Sequence, residues 1–198
     1  MMLTNKLMKK LLGILVLGLF LTTPSQADDI RDFQIEGMSI GDSALDYFSE
    51  EEIMSHKKDW FNSDRFSVIA DLQSSSFETY ESIQIAFKTK DSKMSLKTIE
   101  GMIFYPNNIK NCKKKLDKIS TELSGMFKNT KKRNKKTFPH NADKSGKSLV
   151  TDVMFTFNSG DVIMIGCVDW SKEQKWSDHL RITIRTIEYD NFLQHAYK

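Results

Sequence analysis

The chain has 198 residues and a formal net charge of +3 at pH 7. That excess belongs to Lys6, Lys9 and Lys10, because residues 1–27 hold no other charge, while residues 28–198 hold 26 bases and 26 acids. A balanced chain gives no compositional argument for binding nucleic acid, and none is expected.

In chain order, the three lysines precede Leu11–Leu21, an apolar run of eleven residues that Thr22-Thr23-Pro24 interrupts. Ser25-Gln26-Ala27 then supplies the small residues that a signal peptidase reads, so residues 1–27 read as a signal peptide cleaved after Ala27. The run is shorter than the roughly 20 residues of a membrane span. Residues 28–198 are expected to form one α+β domain, periplasmic or secreted.

"RDFQIEG" reads as a short strand, and "SIGDSALDYFSEEE" as two brief helical turns in series. Ser43 caps the first turn, and Ser49 with Glu52 gives the Ser-x-x-Glu capping spacing of the second. Asp46 and Glu50–Glu52 suit the positive ends of those turns. Leu45 and Phe48, three apart, are expected to anchor the entry on a sheet. A loop around "KKDWFNSD" leads to three strands, "RFSVIADL", "FETYESIQIAFKTK" and "MSLKTIEGMIFY". Pro106 ends the last of them, with Asn107 or Asn108 placed to cap a helix.

The next segment is the longest helix. Ile109, Cys112, Leu116, Ile119, Leu123 and Met126 recur at spacings of three and four, which puts Cys112 on the buried stripe. Residues 128–148 are polar and lysine-rich, with a proline and a glycine, and read as a mobile loop. Three strands follow, "SLVTDVMFTFN", "DVIMIGCVDW" and "DHLRITIRTIEY", the first two joined at Asn158-Ser159-Gly160. Ile163, Ile165 and Cys167 share one face of the middle strand. In the last strand Leu180, Ile182 and Ile184 face one way and Arg181, Thr183 and Arg185 the other, so one sheet face is helix-covered and the other partly wet.

The resulting expectation is an α+β fold in α-βββ-α-βββ order, an antiparallel sheet of about six strands on one long helix and a short N-terminal one. In an oxidising compartment two cysteines, Cys112 and Cys167, read as one disulfide. It would close a loop of 55 residues, worth on the order of 4 kcal/mol in the chain-entropy model. The alternative is two buried free thiols.

Candidate chemistry is sparse. "IGDSA" resembles the Gly-Asp-Ser block of GDSL-type serine hydrolases at Gly41, Asp42 and Ser43. That resemblance implies a Ser43 nucleophile served by a histidine with an aspartate three residues before it. Trp176 and Phe192 stand three before His179 and His195, and the family's Gly-x-Asn-Asp block is missing. Glu52 and His56, four apart, lack the further ligands of a zinc site. "NADKSGKS" has Asn141 where a phosphate loop needs glycine, and a strand comes after it. No cofactor and no metal are expected.

Charge layout is more informative. Residues 28–60 hold ten acids against three bases, and residues 109–148 hold thirteen bases against three acids. Either these regions face each other, each faces a partner, or both are solvated surfaces. Lys128, Lys131, Lys132, Arg133, Lys135 and Lys136 are the candidate contacts for an anionic envelope polymer, a membrane surface or an acidic protein. Trp60-Phe61, Trp170 and Trp176 would form a recognition patch if exposed together.

"DFQIEGMSIGDSALDYFSEEEI" and "IEGMIFYPNNIKNCKKKLDKISTELS" resemble small secreted bacterial proteins of uncharacterised function. The "GMS" entry before an antiparallel sheet looks, more weakly, like helix-plus-sheet envelope modules of the β-lactamase-inhibitor type. Neither resemblance implies an activity. The functional expectation is a non-catalytic binding or accessory protein outside the cytoplasm, with a secreted hydrolase using Ser43 as the alternative.

Overall fold

The computed structural model describes residues 29–196; the expected signal peptide lies outside these residues. They form a mixed α/β fold with one eight-stranded antiparallel sheet. The strands are β1 (Lys57–Lys58), β2 (Phe66–Leu72), β3 (Ser82–Lys88), β4 (Thr98–Phe104), β5 (Lys131–Pro139), β6 (Leu149–Thr156), β7 (Val162–Asp169) and β8 (His179–Arg185). Three α-helices accompany them: α1 (Glu50–Ser55), α2 (Ile109–Met126) and α3 (Ile187–Ala196). The spatial order is β1-β2-β3-β4-β8-β7-β6-β5. Two four-stranded meanders thus meet along β4 and β8, whose residues pair from Thr98↔Arg185 to Phe104↔His179.

The antiparallel layer agrees with expectation; the strand count and order do not. The observed order is α-ββββ-α-ββββ-α, eight strands instead of six. Strand β1 is only two residues long, within the segment read as a loop. Strand β5 is the lysine-rich segment itself, expected as a mobile loop over residues 128–148. It carries no apolar alternation because it lies at an edge, where neither face needs to be dry. Helix α3 begins inside "TIEY", which the sequence pattern assigns to the end of β8. "RDFQIEG" is a 3₁₀ turn, Ile30–Asp32, followed by a tight reversal pairing Ile35 with Met38. Glu36 and Gly37 both take positive φ there, the backbone of a two-residue hairpin turn.

The two serine caps are present. Ser43 Oγ accepts from Leu45 N at 3.2 Å and Ser49 Oγ from Glu52 N at 3.2 Å. Phe48 is buried, but Leu45 is 41% exposed, because Ala44 takes the inward position of the first turn. Asn108 occupies the N-cap of α2 without a side-chain hydrogen bond, and Asn107 sits in the left-handed region instead.

The main core lies on one sheet face, under α1, α2 and the N-terminal segment. Cys112, Leu116, Ile119 and Leu123 of α2 are buried against Ile163, Ile165, Cys167, Leu180, Ile182 and Ile184. Cys112 and Cys167 form a disulfide with Cα atoms 6.0 Å apart. Phe127, just beyond α2, meets Phe33, Phe155 and Phe157 at ring-centroid distances of 6.0, 5.9 and 5.4 Å. Gly101 is required by packing: a Cβ there would stand 2.5 Å from the Tyr80 ring. On the other face, Tyr189 and Phe192 of α3 pack with Phe66, Val68 and Ala86.

Replacing both cysteines (Cys112→Ala with Cys167→Ala) is expected to reduce the unfolding free energy by about 4 kcal/mol, for the 55-residue separation they close. Denaturant unfolding under non-reducing conditions measures it; a change below about 1 kcal/mol would contradict the cross-link's role.

Candidate functional site

Strand β5 ends the sheet and pairs with β6 alone. Every residue of it is exposed except Arg133 and Phe138, which are half-buried. Register runs Arg133↔Met154 and then Lys136↔Asp152, so Asn134 and Lys135 stand against Val153 alone. That bulge resets the alternation of side chains. Lys131, Arg133 and Lys136 fall on the face away from α2, whereas Lys132 and Lys135 fall on the α2 side.

The structure therefore brings the candidate cations to one edge but gives them different work. Lys132 Nζ donates to Ser124 Oγ at 2.8 Å and lies 5.6 Å from the Phe155 ring centroid. Lys135 Nζ pairs with Asp117 Oδ1 at 2.6 Å. Arg133 donates to Asp152 Oδ1 at 2.7 Å, and that carboxylate is buried. Lys128, Lys131 and Lys136 are exposed and enter no ion pair among the described residues. Exposed Lys110, Lys114 and Lys118 of α2 extend the positive surface, Lys118 approaching Glu122 only at 3.9 Å. Burial, with repulsion from Lys118, pushes the Lys115 ammonium down. Acid-rich α1 packs beside β2 and leads into β1, the opposite edge of the sheet. Roughly seven strand spacings of about 4.8 Å separate the two edges, so the acids of α1 do not neutralise β5.

The second sheet face carries what sequence reasoning missed. Strands β4, β8 and β6 place Glu100, Arg181, Thr183 and Asp152 together there. Thr183 Oγ1 donates to Glu100 Oε2 at 2.7 Å, and Arg181 approaches the same oxygen at 3.8 Å. Arg181 Nε is buried without an acceptor among the described residues. A Cβ on Gly166 would stand 3.3 Å from Asp152 Cβ and in ordinary contact, 3.7 Å, with that nitrogen. At the end of this face His140 meets Trp170 at 4.3 Å and Trp170 meets Trp176 at 4.4 Å. Trp170 and Trp176 do come together, with Trp176 54% exposed; Trp60 lies elsewhere, beside β1.

Asp143 orders the turn behind these rings. Its Oδ1 accepts from Ser145 N, Ser145 Oγ and Gln174 Nε2, and its Oδ2 from Ser148 N and Ser148 Oγ. The serine hydroxyls hold its pKa well below the usual carboxylate range. Burial pushes the His140 imidazole down to about 4, with repulsion from Arg181 and His179 set against the carboxylates of Glu100 and Asp143. Burial also lowers His179, whose Nδ1 faces Ser177 O at 3.0 Å.

The remaining candidates have structural partners. Ser43 Oγ donates to Lys93 O at 2.7 Å while capping its turn, and Ser43 bridges to Ser95. His56 Nδ1 faces Ala70 O at 3.1 Å. A concavity of about 510 Å³, lined by residues including Lys57, Phe61, Asp64 and Thr89, opens near β1. It gathers no cluster of three or more metal-binding side chains, and none occurs among the described residues. Searches against protein-family profiles, curated proteins and solved structures return no match for this chain.

Arg133→Met leaves the Asp152 carboxylate without its short ion pair, and is expected to cost about 2 kcal/mol, reduced from the fully buried case by the exposure of Arg133. Lys131→Gln and Lys136→Gln should each stay within about 0.5 kcal/mol. Equal effects in urea unfolding would overturn this division of labour.

The histidine stack gives a pH dependence. Its folded pKa lies below the unfolded value of 6.5, so folding disfavours the proton and stability falls as pH drops from 6.5 toward about 4. The melting temperature should decline across that window. His140→Phe, which keeps a ring against Trp170, should flatten the decline; an unchanged slope would count against the assignment.

Proposed function

We propose that this chain is an exported, non-catalytic binding or accessory protein that meets an anionic partner through the basic edge formed by β5 and α2. The observation that carries the reading is the exposure of Lys128, Lys131 and Lys136 at one sheet edge, with the acids of α1 at the other. A solvated tether explains isolated lysines on a loop, but Lys131 and Lys136 are held on a strand at defined register, with Lys128 in the turn that leads into it. A fixed array of cations raises local anion concentration and speeds encounter, with a steep dependence on ionic strength. The Ser43 reading gains nothing comparable, since that hydroxyl donates to a backbone carbonyl.

The test compares the protein with its Lys128→Gln/Lys131→Gln/Lys136→Gln variant. Binding to polyglutamate and to vesicles containing phosphatidylglycerol is measured from low to physiological salt. Affinity should fall as salt rises, and the variant should bind at least about fivefold more weakly with an unchanged melting temperature. Binding to both probes that ignores the three substitutions would refute the basic-edge reading.

A further inference from the structure

We propose that β5 is a docking edge for an extended acidic polypeptide segment, which adds to the sheet as a ninth strand. The inference rests on the basic-edge reading above and specifies how the contact is made. Strand β5 spans nine residues and hydrogen-bonds to β6 on one side only. Among the described residues no strand pairs with its outer side, where alternate residues of an edge strand direct N–H and C=O groups that an extended chain can read. Seven of its nine side chains are exposed.

Charge selects the occupant. Lys131 and Lys136, which enter no ion pair among the described residues, border an added strand on the face away from α2, whereas on the α2 face Lys135 is paired with Asp117 and Lys132 with Ser124. Carboxylates on the first face of the incoming strand would therefore find a cation, so acidic residues at alternate positions are favoured. A second copy of this edge is disfavoured, because two lysine strands side by side oppose like charges. The opposite edge offers no substitute, since β1 has two residues. Pro139 closes the usable stretch at its end, having no N–H to give. Lysines, a bulge and a proline also protect an edge against indiscriminate pairing, and the same devices make this edge selective for negative charge.

A membrane surface or a flexible polyanion would use the lysines without the main chain, which makes the backbone the deciding readout. Fluorescence anisotropy would follow a labelled ten-residue peptide of glutamate, valine and threonine binding to the full chain at low salt. Two further peptides of the same sequence carry N-methyl groups on odd or on even residues. Strand addition predicts that one methylated peptide binds at least about tenfold more weakly while the other stays close to the parent. It also predicts slowed amide exchange within residues 131–138 when the parent peptide is bound. If both methylated peptides bind as well as the parent, strand addition is refuted and charge alone makes the contact. If neither the peptides nor polyglutamate nor anionic vesicles bind, the basic-edge reading falls with it.

Discussion

The fold depends on the burial of one helical stripe against the middle of the sheet. Helix α2 leaves β4 near the centre and must carry the chain to the far edge before β5 can begin. Cys112, Leu116, Ile119 and Leu123 give it a dry face, and Cys112 is bonded to β7, two strands in from that edge. Once this helix is seated over β7, the second meander has only one way to run, from the outer β5 back to β8. The position of the lysine strand is therefore a consequence of packing at the core and not of anything in the lysines themselves.

Elements that bury a face were legible in the sequence. Leu180, Ile182 and Ile184 alternate with polar residues in β8, and Ile163, Ile165 and Cys167 stand out within a β7 that is buried on both faces. The three-and-four spacing of α2 is equally clear because its stripe meets apolar side chains along its length. Strand β5 offered no such pattern; its identity is set by the hydrogen bonds of β6, a non-local partner. Helix α3 was hidden because it follows β8 almost directly and exposes Ile187, so helix and strand periods blur across "RTIEYDNF".

The candidate site was legible only as composition. That six basic residues lie close together could be read from their density. That Arg133 turns inward to Asp152 could not, since it depends on a bulge that changes the alternation between Arg133 and Lys136. The network of Glu100, Arg181 and Thr183 was invisible for a similar reason: its members come from strands that are neighbours in space and about 80 residues apart in sequence. The two regions also differ physically. Charges on the second face are largely dry and matched, so they specify an arrangement at some cost in desolvation. The lysines of the edge are wet and cheap to keep charged, which leaves their attraction available to another molecule.

The sulfur bridge has a bearing on durability in a protease-rich setting. Residues 113–166, which include the whole of β5 and β6, lie inside the ring that it closes. A single cut in the connection between those two strands would open the ring without releasing either piece. Both fragments would remain tethered until the bond was reduced, and the severed edge strand would still have its neighbour beside it.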